Sequence, residues 1–168
     1  NLEWVGYISS TAVYGDYDGN IVYEDSVLKC VSKRATQRAL AEEQWRELCE
    51  GMVNLSIFRL AGIYGPGRSA LDNIKAGTAR SVYKEGHVFS RIHVQDIVRI
   101  VSKAIFAHKN FEIFNLADDY PCTTSEVNQF AADLLGVTAP EIEKYEEANL
   151  SAMAAEFYQD NRRVCNDK

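Results

Sequence analysis

Two kinds of pattern alternate along the chain: short unbroken apolar runs and apolar stripes at helical spacing. Trp4 to Ser9 (WVGYIS) is an apolar, aromatic run ending in small polar residues. That is how a buried parallel strand reads where its carboxyl end opens into a loop. The stretch from Gly15 to Lys29 is polar and rich in turn formers, with Asp16, Asp18, Gly19 and Asn20. A helix is predicted from about Ser32 to Cys49, because Ala41, Trp45, Leu48, Cys49 and Met52 recur on one helical face, with Gly51 as its stop. Asn54 to Leu60 (NLSIFRL) reads as a second buried strand, and Tyr64-Gly65-Pro66-Gly67-Arg68 as the loop beyond it.

Weaker strand signals lie at Ser81 to Tyr83 and Val88 to Phe89. A helix is predicted from about Val94 to Ala107, with Val94, Ile97, Val98, Val101 and Ile105 on one face. Phe111 to Leu116 (FEIFNL) is a third strand. Thr123-Thr124-Ser125-Glu126 is a capping box, opening a helix with the stripe Val127, Phe130, Ala131, Leu134 and Leu135 and ending at Gly136. From Pro140 onward the chain is acidic and then irregular, with a short helix around Ser151 to Tyr158. Strands alternating with helices imply an α/β layer architecture with right-handed crossovers. Three core strands make a thin sheet, and its first strand exposes an edge that a further chain segment or subunit is expected to cover.

Composition narrows the picture. The chain has 168 residues, 46% hydrophobic and 25% charged, the balance of one globular domain. No apolar run approaches the roughly 18 residues of a membrane span. The opening Asn1-Leu2-Glu3-Trp4 has neither the basic region nor the apolar stretch of a signal peptide, and without a Met it predicts that residues precede it. A net charge of −6, with basic residues mixed among acids from Lys33 to Glu50, argues against nucleic acid as a partner. Cys30, Cys49, Cys122 and Cys165 are too widely spaced for a zinc site or a disulfide framework, so no metal is expected and the thiols are expected to be reduced. That suits the cytoplasm or an organelle stroma or matrix.

Three ordered segments carry a resemblance. They are Tyr7-Ile8-Ser9-Ser10-Thr11-Ala12-Val13-Tyr14-Gly15, then Phe58-Arg59-Leu60-Ala61-Gly62-Ile63-Tyr64-Gly65-Pro66-Gly67, then Arg91-Ile92-His93-Val94-Gln95-Asp96. A weaker fourth is Phe114-Asn115-Leu116 with the capped helix ending at Leu135-Gly136. Together they resemble the C-terminal portion of the extended and atypical short-chain dehydrogenase/reductases, the NAD-dependent epimerase/dehydratase family. The resemblance implies a partial Rossmann-type fold, a doubly wound parallel sheet lacking its N-terminal strands, with a small C-terminal substrate-type subdomain. Residues 1–65 would be the second half of the Rossmann-like domain, and 66–168 the substrate-type subdomain interleaved with the last parallel strand.

The resemblance also implies roles. Ser10 matches the family's catalytic Ser/Thr, while Ser9, Ser10, Leu60 and Ala61 would lie against the nicotinamide of NAD or NADP. The family's Tyr-x-x-x-Lys pair falls on Arg34 and Arg38, eight and four residues before Glu42. Arginine stays protonated at neutral pH and cannot cycle a proton, so Ser10 would be a remnant. The glycine-rich turn that cradles a pyrophosphate at a helix tip has no counterpart, so no cofactor is expected to bind this chain alone. Gly62 and Phe89 replace an Asn and an Arg that hold nucleotide sugars in related enzymes. Arg68, Arg91 and His93 are the weaker substrate candidates, with a surface or structural ion pair the expected role of the arginines. His93 and Asp96 read as corner and first-turn residues, and Tyr14 and Tyr64 as packing residues. Two functions follow: an atypical NAD(P)-dependent reductase or epimerase of which this chain is a part, or a structural or assembly subunit derived from one. Either predicts a partner, an N-terminal half or another subunit in an oligomer, over the sheet edge.

Overall fold

The computed structural model describes residues 2–107 and 110–168. Its centre is a parallel sheet of β1 (Trp4–Ser10), β3 (Asn54–Leu60) and β7 (Phe111–Leu116), in the order β1-β3-β7. Tyr7 lies beside Ile57, and Ile57 beside Ile113, so the three apolar runs stand in register. Strand alternation sends Val5, Tyr7, Leu55, Ile57 and Ile113 to one face, where they pack on Cys49 of α1 (Lys33–Cys49). Phe58, Leu60, Phe114 and Leu116 point to the other face, against Ile97, Ile100, Val101 and Ala104 of α3 (Val94–Ala104). Trp4 joins this second face, its indole donating to Ser56 Oγ at 3.0 Å. Helices on both faces of a parallel sheet give the doubly wound arrangement expected.

Three two-stranded parallel pairs surround the sheet. They join β2 (Ile21–Val22) to β9 (Arg163–Val164), β4 (Gly62–Tyr64) to β6 (Arg91–His93), and β5 (Ser81–Tyr83) to β8 (Ile142–Lys144). Of these six, only β5 carries a readable apolar signal, and the Val88–Phe89 strand reduces to one bridge between Phe89 and Cys122. Two short helices, α2 (Ala70–Lys75) and α5 (Ala152–Phe157), complete the chain around α4 (Thr124–Leu135).

Helix ends follow local chemistry. The Ser32 hydroxyl accepts from Ala35 N at 3.2 Å to start α1. Thr123 and Glu126 close the capping box at 3.1 and 2.7 Å, and Gly136 ends α4 in the left-handed conformation.

The buried helix faces differ from the apolar stripes. On α1 the buried residues are Ala35, Glu42 and Cys49, while Trp45, Leu48 and Met52 are exposed. An ion pair from Glu42 to Arg59 of β3 fixes the helix rotation. On α4 the buried residues are Asn128, Ala131 and Ala132, leaving Phe130 and Leu134 at 67% and 63% exposure. Asn128 Nδ2 donates to the Arg80 carbonyl and to Ser81 Oγ, both at 3.0 Å, and turns the small-residue face toward β5. On α3 the helix stops at Ala104, and Val98 and Ile105 stay exposed.

Candidate functional site

In register, Ser9 lies beside Arg59 and Ser10 beside Leu60, and Ala61 follows directly. The carboxyl ends of β1 and β3 therefore bring Ser9, Ser10, Leu60 and Ala61 together, at the rim where open α/β sheets take ligands. Strand alternation separates the two serines. Ser9 faces α1, is buried, and donates its hydroxyl to Glu42 Oε1. Ser10 faces the other way, and its Oγ accepts from Ala12 N at 3.2 Å, capping the single 3-10 turn Thr11–Tyr14.

Below the rim on the α1 face runs a buried polar network. Arg59 donates from Nη2 to Glu42 Oε2 at 2.7 Å and from Nε to both Glu42 oxygens at 3.2 Å. Its Nη1 donates to Tyr14 Oη at 2.9 Å and to the Glu24 carbonyl at 3.0 Å. The Tyr14 hydroxyl in turn donates to Asn115 Oδ1 at 2.6 Å, and Glu24 Oε1 accepts from Asn115 N at 2.9 Å. The Arg59 and Glu42 side chains are only 4% and 6% exposed. One signal was available: an arginine in the apolar run NLSIFRL needs a buried acid. Burial raises the Tyr14 phenol above its ordinary value, although Arg59 pulls the other way, so this tyrosine keeps its proton at neutral pH.

Arg34 is exposed in the first turn of α1. Arg38, one turn on, donates from Nη1 to the Ile8 carbonyl at 2.9 Å. That carbonyl points off the sheet, because Asn54 N donates to the Glu3 carbonyl and alternate carbonyls face the other side. Among the described residues, no strand pairs with that side of β1. Trp45 of α1 is exposed and its ring lies 6.4 Å from that of Tyr7.

The loop candidates form a second group, joined to the first by the step from Ala61 into β4. Gly62 lies beside Arg91 and Tyr64 beside His93. Arg91 Nη1 donates to the Phe89 carbonyl (3.1 Å), the Cys122 carbonyl (3.0 Å) and Cys122 Sγ (3.3 Å), which ties two loops together. His93 caps α3, its Nδ1 accepting from Gln95 N at 3.2 Å, and its ring meets Tyr64 edge-on at 5.1 Å. Burial and the Asp118 carboxylate push the Tyr64 phenol up to about 12, so it is no substitute acid. Arg68 is exposed. Phe89 lies against His87 and Tyr158 at 4.6 and 5.2 Å.

A dinucleotide needs two things of this rim: room for a flat ring and amides aimed at a diphosphate. On the first, Ser10 and Ala61 put only small side chains at the rim. The second is not met by the Gly65–Arg68 turn, where Gly65 N donates to the Arg68 carbonyl and Arg68 N to the Gly65 carbonyl at 3.1 and 3.0 Å. Among the described residues, no three His, Cys, Asp or Glu side chains cluster to hold a metal ion, and no helix is long and apolar enough to cross a membrane. A hollow of about 750 Å³ lined by Leu2, Cys49, Met52 and Asn110 lies at the opposite, amino end of the sheet, away from this chemistry.

No family model matches the sequence. Protein YeeZ of Escherichia coli (strain K12) is 29% identical over 164 residues, 96% of this chain and 55% of its own length. A functionally unknown conserved protein from Silicibacter pomeroyi DSS superposes with a TM-score of 0.92 at 41% identity, over 98% of this chain and 57% of its own. MoeE5, solved in complex with UDP-glucuronic acid and NAD, gives a TM-score of 0.77 at 20% identity, over 98% and 56%. The chain thus spans somewhat more than half the length of these relatives. Its fold is the Rossmann-type fold of the NAD-dependent epimerase/dehydratase and short-chain dehydrogenase/reductase proteins, present in part.

Proposed function

We propose that this chain, with the fold of the NAD-dependent epimerase/dehydratase proteins, is the nicotinamide-side and substrate-side part of an atypical NAD(P)-dependent reductase- or epimerase-like protein. By itself it does not turn over. The observation that carries the reading is at the rim: Arg38 stands in the relay position and binds the Ile8 carbonyl, while the lone pair of Ser10 takes the Ala12 amide. Neither arginine nor a capping hydroxyl beside it can run the acid/base cycle of a Tyr–Lys pair. Ser9, Ser10, Leu60 and Ala61 would then receive the nicotinamide of NAD or NADP. The diphosphate cradle would come from strands placed beyond β1.

Arg68, Arg91 and His93 remain the substrate-side candidates. Gly62 and the packed Phe89, in place of an Asn and an Arg, speak against a nucleotide sugar. The proposed division is 1–65 for the Rossmann-like half and 66–168 for the substrate-type subdomain. The four free thiols suit a reducing cytoplasm, stroma or matrix. Titration of the 168-residue chain with NADH or NADPH is expected to give no saturable fluorescence change; micromolar saturation would overturn the reading.

The side of β1 that no strand pairs with among the described residues also favours a second reading, that of a structural or assembly subunit. That reading predicts that the chain sediments as an oligomer or with a partner over β1. A stable monomer at low concentration would contradict it.

A further inference from the structure

His87 lies where three segments meet, far from any role in the rim chemistry. It is 3% exposed, in the turn between β5 and β6, and its ring packs on Phe89 at 4.6 Å and Tyr158 at 5.3 Å. The carbonyl of Asp160 lies 3.0 Å from Nε2, so a neutral ring donates there and leaves Nδ1 bare. Nδ1 is buried with no hydrogen-bond partner among the described residues.

The segment that His87 touches is a strap running from Tyr158 to Val164. On one side it holds the His87 turn: Lys84 Nζ donates to the Tyr158 carbonyl at 2.5 Å, Val88 N to Asn161 Oδ1 at 3.3 Å, and Asn161 Nδ2 to the Gly86 carbonyl at 2.9 Å. On the other side it holds the loop that follows Ser10 and its 3-10 turn. Tyr17 N and Gly19 N donate to the Asn161 carbonyl at 3.1 and 2.9 Å, Arg163 N to the Asn20 carbonyl at 3.0 Å, and Arg162 Nη1 to the Gly15 carbonyl at 2.9 Å. Within the strap, Asn161 is bonded both to the His87 turn and to the loop beyond β1.

We infer that His87 is a neutral pin, and that its protonation frees the strap of residues 158–164 from the loop beside the Ser10 end of β1. A proton on Nδ1 would meet no acceptor. The charged groups that act on the ring are Lys84 from its own turn, Arg162 from the strap and Asp16 from the loop, beside the Asp160 carbonyl. Burial first, then the cations of Lys84 and Arg162, hold the imidazole below its ordinary 6.5, against the Asp160 carbonyl and Asp16. The released ring takes up a proton at about 6.5 and the docked ring only at lower pH. Docking is therefore complete above about 6.5 and weakens as pH falls from there toward the docked value.

Hydrogen exchange of the purified chain at pH 7.5 and 5.5, corrected for intrinsic rates, tests this. The amides of Tyr17, Gly19, Val88 and Arg163 are expected to lose protection by up to about tenfold at pH 5.5, the limit for one unit below 6.5. Those of Ile57 and Phe58 in β3 should keep theirs. In His87→Phe, whose ring suits the aromatic socket but carries no proton, the strap amides should respond to pH no more than the β3 amides do. Equal losses in wild type and variant, or loss in β3 as well, would overturn the inference. If the variant does not fold, imidazole NMR of the wild-type protein decides: a ring at position 87 that titrates at or above 6.5 refutes the pin, and one that stays neutral below it upholds it.

Discussion

Replacing Arg59 by methionine keeps most of the side-chain volume in β3 but leaves the Glu42 carboxylate, 6% exposed, without its cation. Three contacts to Glu42 at 2.7 to 3.2 Å vanish, with the bonds to Tyr14 and to the Glu24 carbonyl. Removing one partner of a buried pair costs about 3–5 kcal/mol, because the remaining charge stays desolvated. A domain of this size has roughly 5–15 kcal/mol in hand. With a urea slope of about 2 kcal/mol/M, the midpoint should fall by about 1.5–2.5 M, read by circular dichroism. The double variant Glu42→Leu/Arg59→Met removes both charges and should regain most of that loss. It would stay about 1–2 kcal/mol short of wild type, since the Ser9 and Tyr14 hydroxyls each lose a partner. Arg59→Lys, a point charge without the planar fork, should fall between. A shift below about 0.5 M for Arg59→Met, or a double variant as weak as the two single losses added, would refute the claim that this pair fixes α1 on the sheet.

Two further outcomes are expected. Thr123→Ala should cost about 1 kcal/mol in urea or thermal unfolding, by breaking the capping box. The Thr123 amide and hydroxyl hold Glu126 below its ordinary 4.5, so the box stabilises above that pH and fades as pH falls through the depressed value; the difference between Thr123→Ala and wild type should shrink there. Gly15→Ala and Gly67→Ala should separate sharply in refolding yield and thermal midpoint. Both glycines have positive φ, 68° and 77°, but a Cβ on Gly15 would lie 2.0 Å from the Lys29 carbonyl oxygen, whereas one on Gly67 meets nothing within 4 Å. Gly67→Ala should lose only about 1–2 kcal/mol of backbone strain and still fold; similar midpoints for the two would contradict the clash.

The order of the main elements was legible because it is written locally. Three apolar runs give β1, β3 and β7, and Thr123 to Glu126 writes its own helix start. The short strands β4 and β6 were not, since three residues such as Gly62–Tyr64 carry no period and pair only once the sheet has formed. Helix faces were misread for a related reason. Periodicity counts apolar side chains, whereas α1 is oriented by a buried charge and α4 by an amide. Of the site candidates, Ser9, Ser10, Leu60 and Ala61 meet at one rim, because strand ends in register must. The strap from Tyr158 to Val164 looked irregular in sequence, since its order comes from backbone and side-chain bonds to loops 75 and 145 residues away.

The pair that orients α1 also bears on what the rim can do. Positions 34, 38 and 42 recur every four residues, so they lie along one side of the helix. With Glu42 locked to Arg59, that line runs toward the carboxyl end of β1, and Arg38 meets the Ile8 carbonyl there. Of the two arginines on that line, Arg38 reaches the strand end, while Arg34, one turn earlier, is exposed. A guanidinium offers fixed charge and several N–H donors but no exchangeable acid/base state at neutral pH. The side chain at position 38 can therefore be exchanged without any change in the sheet, in α1 or in the buried pair that joins them.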